Sequence, residues 1–235
     1  MKKLSIGAIA AAVISLCAAG SASAAVVSLN FEGVNAAYTN GNFDAANILE
    51  FYNGGTSSDG TSGANYGISF SDNALAICLN STTVVCSNTS RGGLAPGSDK
   101  GGLFFLSGAE TFMNVAAGFD TGFSFNYVSF SFAGAVNVYD GLNGTGNILA
   151  VLNLLPNAGS CPGYGAGFCP FSAQGVAFAG TAFSVGFAGV ANQIVFDDVT
   201  FGSVTPGVPE PETYALMLAG LATVAAITRR RKASV

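Results

Sequence analysis

Val27, Leu29 and Phe31 alternate with Ser28 and Asn30, and Phe123, Phe125 and Tyr127 alternate with Ser124 and Asn126. Side chains along a strand point to opposite faces in turn, so alternation of this kind describes strands with one buried face. Beyond Tyr127 the apolar set continues as Val128, Phe130 and Phe132, on the opposite parity, which predicts a bulge or bend near Tyr127. Further strands are predicted over 67–70, 74–79, 103–106, 135–139, 148–154, 183–187 and 193–201. Turn clusters stand between them: Asn53-Gly54-Gly55, Gly92-Gly93, and the run from Asp140 to Gly146. The stretch 44–51 is the one internal segment expected to form a short helix. Many short strands at turn-separated spacing specify an all-β fold, an antiparallel β-sandwich with jelly-roll-like topology.

The two ends follow a different rule. Lys2 and Lys3 precede an apolar run over 4–19 and the small residues Ala22-Ser23-Ala24, the three-part layout of a secretory signal peptide expected to be cleaved after Ala24. At the other end Val208-Pro209-Glu210-Pro211-Glu212 leads into an uncharged segment over 213–228 and then Arg229, Arg230, Arg231 and Lys232. Sixteen helical residues would rise only ~24 Å, short of the ~30 Å hydrocarbon core, so tilt and snorkelling arginines are needed to span it. Four cations directly after an apolar helix hold that end in the cytoplasm and leave the main domain across the inner membrane. The two prolines remove amide donors and bias the chain to an extended form, which suits a processing enzyme.

This tripartite tail resembles the PEP-CTERM sorting signal of Gram-negative bacteria, with Pro209-Glu210-Pro211 as the signature and the helix and basic cluster in the family's order. The resemblance implies recognition by a membrane transpeptidase-like enzyme, an exosortase, removal of the helix, and delivery to the cell surface or extracellular polymer. It also implies a setting of exopolysaccharide or biofilm production. The expected organisation is a signal peptide at 1–24, a β-sandwich ectodomain at 25–205 and the sorting signal at 206–235.

Composition removes most chemistry from the ectodomain. The 235 residues include no His, which excludes Ser-His-Asp and Cys-His mechanisms and zinc sites of the HExxH type. Between the two signals there are eleven acids and two bases, Arg91 and Lys100, so no nucleic-acid groove is implied and divalent metal is favoured over anionic polymer. Carboxylate pairs remain as the only plausible catalytic groups, and no motif singles one out. The expectation is a non-enzymatic protein.

Four cysteines survive signal removal: Cys78, Cys86, Cys161 and Cys169. Outside the cytoplasm disulfides are the default, and the short spacings favour Cys78 to Cys86 and Cys161 to Cys169 over the other two connectivities. Each closure is expected to contribute roughly 2 to 3 kcal/mol. A four-thiolate metal site would need CxxC spacing, which is absent.

Asp197-Asp198 lies within Ile194-Val195-Phe196-Asp197-Asp198-Val199-Thr200-Phe201, apolar on both parities, so at least one carboxylate is expected in or beside the core. Burial of an unpaired carboxylate is costly. Backbone amides or a bound Ca²⁺ are the candidate partners: either one Asp caps a strand end while the other is solvated, or Glu32 and Asp198, with or without Asp197, hold a structural Ca²⁺. The ends around Glu32 and Asp198 resemble the first and last strands of jelly-roll carbohydrate-binding modules, a likeness that implies such a calcium and makes sugar recognition the alternative reading. With no Trp, stacking on sugar would fall to Tyr38, Tyr52, Tyr66, Tyr139 or Tyr164, and Phe51-Tyr52-Asn53-Gly54-Gly55 sets two rings beside a turn. The expected role is structural or adhesive, in exopolysaccharide or biofilm, with an exosortase and the inner membrane as transient partners.

Overall fold

Alternation along the chain becomes two antiparallel sheets. The computed structural model describes residues 26–36, 45–79, 100–159 and 169–207. Within them lie β1 (Val27–Leu29), β2 (Ala46–Asn47), β3 (Ile68–Phe70), β4 (Leu75–Cys78), β5 (Gly101–Phe104), β6 (Glu110–Phe119), β7 (Gly122–Ser129), β8 (Gly134–Tyr139), β9 (Ile148–Leu154), β10 (Ser172–Ala177), β11 (Ala182–Ala188) and β12 (Ile194–Phe201). One sheet runs β10-β7-β12-β5-β4-β2, with β1 also paired to β12; the other runs β3-β6-β11-β8-β9. The fold is an all-β sandwich.

The inward residues of both sheets make one core. Phe123, Phe125, Phe196 and Leu103 from the first sheet meet Phe187, Val185, Val136 and Met113 from the second, all completely buried. Phe187 bridges the two layers, with its ring 4.8 Å from that of Phe196 and 6.2 Å from that of Phe123 in edge-on geometry. A second, smaller cluster, Ile77, Leu79, Phe104, Val128, Phe171 and Val195, covers part of the opposite face of the first sheet. That second layer explains why every residue of β12 is buried.

It also corrects the expected bulge at Tyr127. β7 keeps regular pairing with β10 from Gly122 to Tyr127, and its two apolar parities serve two separate clusters. The irregularity sits in the partner strand: pairing of β12 with β7 slips by one residue between Asp197 and Thr200, where Asp198 has φ +48. The expected first strand ends at Leu29, because Phe31 turns to φ +56 while its ring stays fully buried. The expected helix at 44–51 is absent. Ala46–Asn47 instead pairs with β4, and residues 49–54 form turns, with the Ile48 carbonyl accepting from Phe51 N and that of Glu50 from Asn53 N.

Besides β2, two further strands lie outside the sequence expectation. β6 hides its alternation because Phe112 faces outward, where it packs against Gly144, and because three extra residues enter before Phe119 in its pairing with β11. β10, Ser-Ala-Gln-Gly-Val-Ala, carries almost no apolar signal and holds its edge position through pairing with β7. The turn cluster after β8 folds as expected. Asp140 accepts from the Asn147 side-chain and backbone N–H groups at 2.8 and 2.6 Å, and the side-chain bond leads in holding the Asp140 carboxyl below its usual range.

After β12 the chain does not leave the domain. Gly202 N donates to Gly122 O at 3.0 Å, and Ser124 Oγ donates to Ser203 O at 3.0 Å. Gly207 N then donates to Thr200 Oγ1 at 2.8 Å. Ser124 and Thr200 alternate with the inward Phe123, Phe125, Val199 and Phe201, so this segment crosses the outer face of the first sheet. The docked chain thus runs past the expected domain end at 205.

Candidate functional site

Two features stand out from the scaffold: a polar cleft at the end of the sandwich, and the docked chain leading to the C-terminal tail. The cleft measures about 490 Å³ and is lined by Ser28 of β1, by Asn30 and Glu32 just after it, and by Tyr52, Ser62 and Tyr66 from the long loop between β2 and β3. The loop closes on its own aromatic base. Phe51 occupies the place a side chain at position 63 would need, so only glycine lets the backbone approach the ring.

The aromatic pair proposed from Phe51-Tyr52 is core rather than platform. Both rings are buried, and Tyr52 Oη accepts from Phe31 N at 3.0 Å. That bond caps a backbone amide exposed by the left-handed turn at Phe31, a requirement invisible in the sequence. Burial pushes the Tyr52 phenol far above its ordinary value. Tyr66 is 44% exposed and lies nearly parallel to Tyr52, with ring centroids 6.2 Å apart and planes inclined by 23°. Of the tyrosines considered, Tyr66 alone both lines the cleft and shows a largely accessible ring, among the described residues. Tyr38 and Tyr164 lie outside them.

The three carboxylates expected around calcium do not converge. Glu32 Oε1 accepts from Lys100 N and Gly101 N at 2.8 and 3.0 Å, and Oε2 lies 3.8 Å from Lys100 Nζ. The Glu32 carboxylate thus closes against the backbone amides at the start of β5. Asp197 and Asp198 are both buried, which corrects the reading of a solvated partner. Asp197 Oδ1 accepts from Asp198 N at 2.7 Å, and Asp198 Oδ2 accepts from Asn126 Nδ2 at 2.9 Å. These bonds satisfy carboxylate oxygens at the bulge, where β12 exchanges its neighbour β5 for β1. Among the described residues no group of three or more acidic, Cys or His side chains is placed to hold a metal ion.

Cys78, at the end of β4, is half of a disulfide. Cys86, its expected partner, lies outside the described residues, as does Cys161. The Cys169 sulfur hydrogen-bonds to Gly159 O at 3.8 Å.

The docked segment ends where the tail begins. Ser28 Oγ donates to Gly207 O at 3.4 Å, so residue 207 sits over β1 and β12, beside the cleft. The motif residues Val208, Pro209, Glu210 and Pro211, the apolar segment and Arg229, Arg230, Arg231 and Lys232 lie outside the described residues, as does the signal peptide.

Residues 207–232 match the PEP-CTERM protein-sorting motif family. The match begins at Gly207 and takes in the Pro-Glu-Pro signature, the apolar segment and all four terminal cations. No curated protein matches the chain. The chain therefore carries a PEP-CTERM sorting signal, which supports a secreted protein sorted through an exosortase. Proteins with this signal are generally cargo rather than enzymes.

Proposed function

We propose that this protein is a non-enzymatic β-sandwich, delivered by exosortase processing to the cell surface or extracellular matrix, where it has a structural or adhesive role in exopolysaccharide. The observation that carries this reading is the matched tail at 207–232. The eleven-to-two excess of acids over bases and the absence of His support a cargo role, since they leave little with which to position and activate a substrate. The inner membrane is a way-station: the Arg229 to Lys232 cluster holds the precursor there until the tail is removed. Fractionation of cells with and without the processing enzyme tests this. The enzyme-containing strain should yield surface protein lacking the basic end, and the deficient strain a membrane-bound precursor. Equal surface recovery of intact chain from both strains would count decisively against the proposal.

The cleft supports a second reading, recognition of a neutral glycan in the matrix. Tyr66 offers an accessible ring for stacking on a sugar face, while Asn30 and Ser62 offer planar amide and hydroxyl groups beside it. On a glycan array, binding by the native protein should fall by roughly five- to 150-fold in Tyr66→Ala, since one stacked ring is worth about 1 to 3 kcal/mol in comparable base stacking. Undiminished binding by that variant would place recognition elsewhere.

A further inference from the structure

The docked segment 203–207 has no counterpart in the expected architecture, in which the ectodomain ended at 205 and the sorting signal began at 206. Its contacts are built rather than incidental. A Cβ on Gly175 of β10 would collide with Val204 O, and one on Gly122 of β7 would lie 2.7 Å from Val204 Cγ1. Two strands of the same sheet thus present bare backbone where the segment crosses. Neither glycine has a positive φ, so neither is required by its own backbone conformation. The remaining contacts are hydroxyls: Ser124 holds Ser203, and Thr200 and Ser28 hold Gly207. Thr200 is completely buried and its hydroxyl also donates to Asp198 O at 2.8 Å, so the acceptor offered to Gly207 is fixed by the β12 bulge.

We infer that residues 203–207 are a strap that positions the sorting signal, and that Gly175, Ser124 and Thr200 are positioning residues for its processing. This rests on the sorting reading above. With the strap docked, the last fixed backbone amide, that of Gly207, lies only two residues before Pro209 in the chain, which leaves the motif a short tether. With the strap released, five further residues are added to the tether, up to about 17 Å of extra reach. Release therefore increases access to the motif for an enzyme confined to the membrane. The domain edge carrying β1 and β12 is the one brought to the membrane before processing, and it stays closest to the new C-terminus afterwards.

The test uses the full chain in detergent micelles or in its native membrane. Hydrogen exchange should show the Gly207 amide protected in the wild type. Gly175→Ala, which displaces Val204, and Thr200→Val, which removes the acceptor for Gly207, should each lose that protection. Cleavage between 203 and 211 by an added broad-specificity protease should rise on the order of tenfold, the effect of removing about one or two hydrogen bonds from a local opening equilibrium. The thermal midpoint of the sandwich should move little in at least one variant, which separates positioning from general loss of structure. Exchange of wild-type Gly207 at the rate of an unstructured amide would overturn the inference, and so would equal protease cleavage in wild type and both variants. Pulse-chase conversion of the wild-type precursor in cells reports separately on sorting: no conversion there, with the strap protected, defeats the sorting reading and leaves the strap standing.

Discussion

Replacing Phe187 with alanine is expected to destabilise the sandwich by about 3 to 5 kcal/mol, the cost of deleting a large buried aromatic side chain whose surroundings relax only in part. Phe187 lies on β11, in the middle of the second sheet, and its ring touches Phe196 and Phe123 of the first. Phe119 of β6 also reaches β7 and β12, through Phe123 and Phe201, but in tilted rather than edge-on geometry. Its loss opens a void between the layers and forfeits two edge-on aromatic contacts as well as the transfer energy. For a domain of this size the thermal midpoint should fall by roughly 10 °C. Phe130→Ala is the control: that ring is 51% exposed beyond the end of β7, and its removal should change stability by less than about 0.5 kcal/mol. Equal losses from the two variants would show that the sheets do not pack through Phe187.

Replacing Pro209, Glu210 and Pro211 together with alanine is expected to abolish processing while leaving the sandwich intact. The three residues lie beyond the last docked contact at Gly207, so no described packing depends on them. Alanine restores two amide donors and a high helix propensity, so the bias toward an extended backbone that the two prolines impose is lost. The matched signal also loses its signature while keeping its apolar segment and cations. Precursor should therefore accumulate at the inner membrane, with more than 90% loss of surface protein as the order of effect expected for removal of an obligatory recognition element. Quantitative immunoblotting of membrane and surface fractions reads this out, and wild-type surface levels in the triple variant would show that the motif is not the recognised element.

How much of this was legible in the sequence depended on whether a pattern was local. β9 emerges with the bounds read from its apolar run, and β8, β11 and β12 within one residue, because the apolar residues that define each lie close together in the chain between turn residues. The helix expected at 44–51 failed because apolar spacing there serves turns that bury Ile48, Phe51 and Tyr52 in the core, a tertiary demand that outweighs local propensity. The bulge was sensed but assigned to the wrong strand: the parity switch in β7 reflects a second apolar layer, while the slip lies at Asp198.

At the candidate site, the sorting tail was readable because its recognition is itself linear. Burial of at least one of Asp197 and Asp198 was readable from apolar neighbours on both sides, but burial of both and their particular partners were not, since Asn126 and the Asp198 amide meet the carboxylates only through strand pairing and the bulge. Glu32 shows the same limit. Its amide partners at Lys100 and Gly101 lie 68 and 69 residues away in the chain. The strap left no trace in the sequence because its docking relies on missing side chains at Gly122 and Gly175, and a glycine in a strand reads equally as a bulge or a close approach.

The central claim is that a folded sandwich is handed to the cell surface by removal of its C-terminal tail, and intact-mass and terminal-peptide mass spectrometry of the native surface protein addresses it most directly. The account predicts a chain that begins at Ala25, ends within or close to the Pro209 to Pro211 motif, and lacks every residue of the Arg229 to Val235 end. Surface protein that retains that basic end, in cells possessing the processing enzyme, would contradict it.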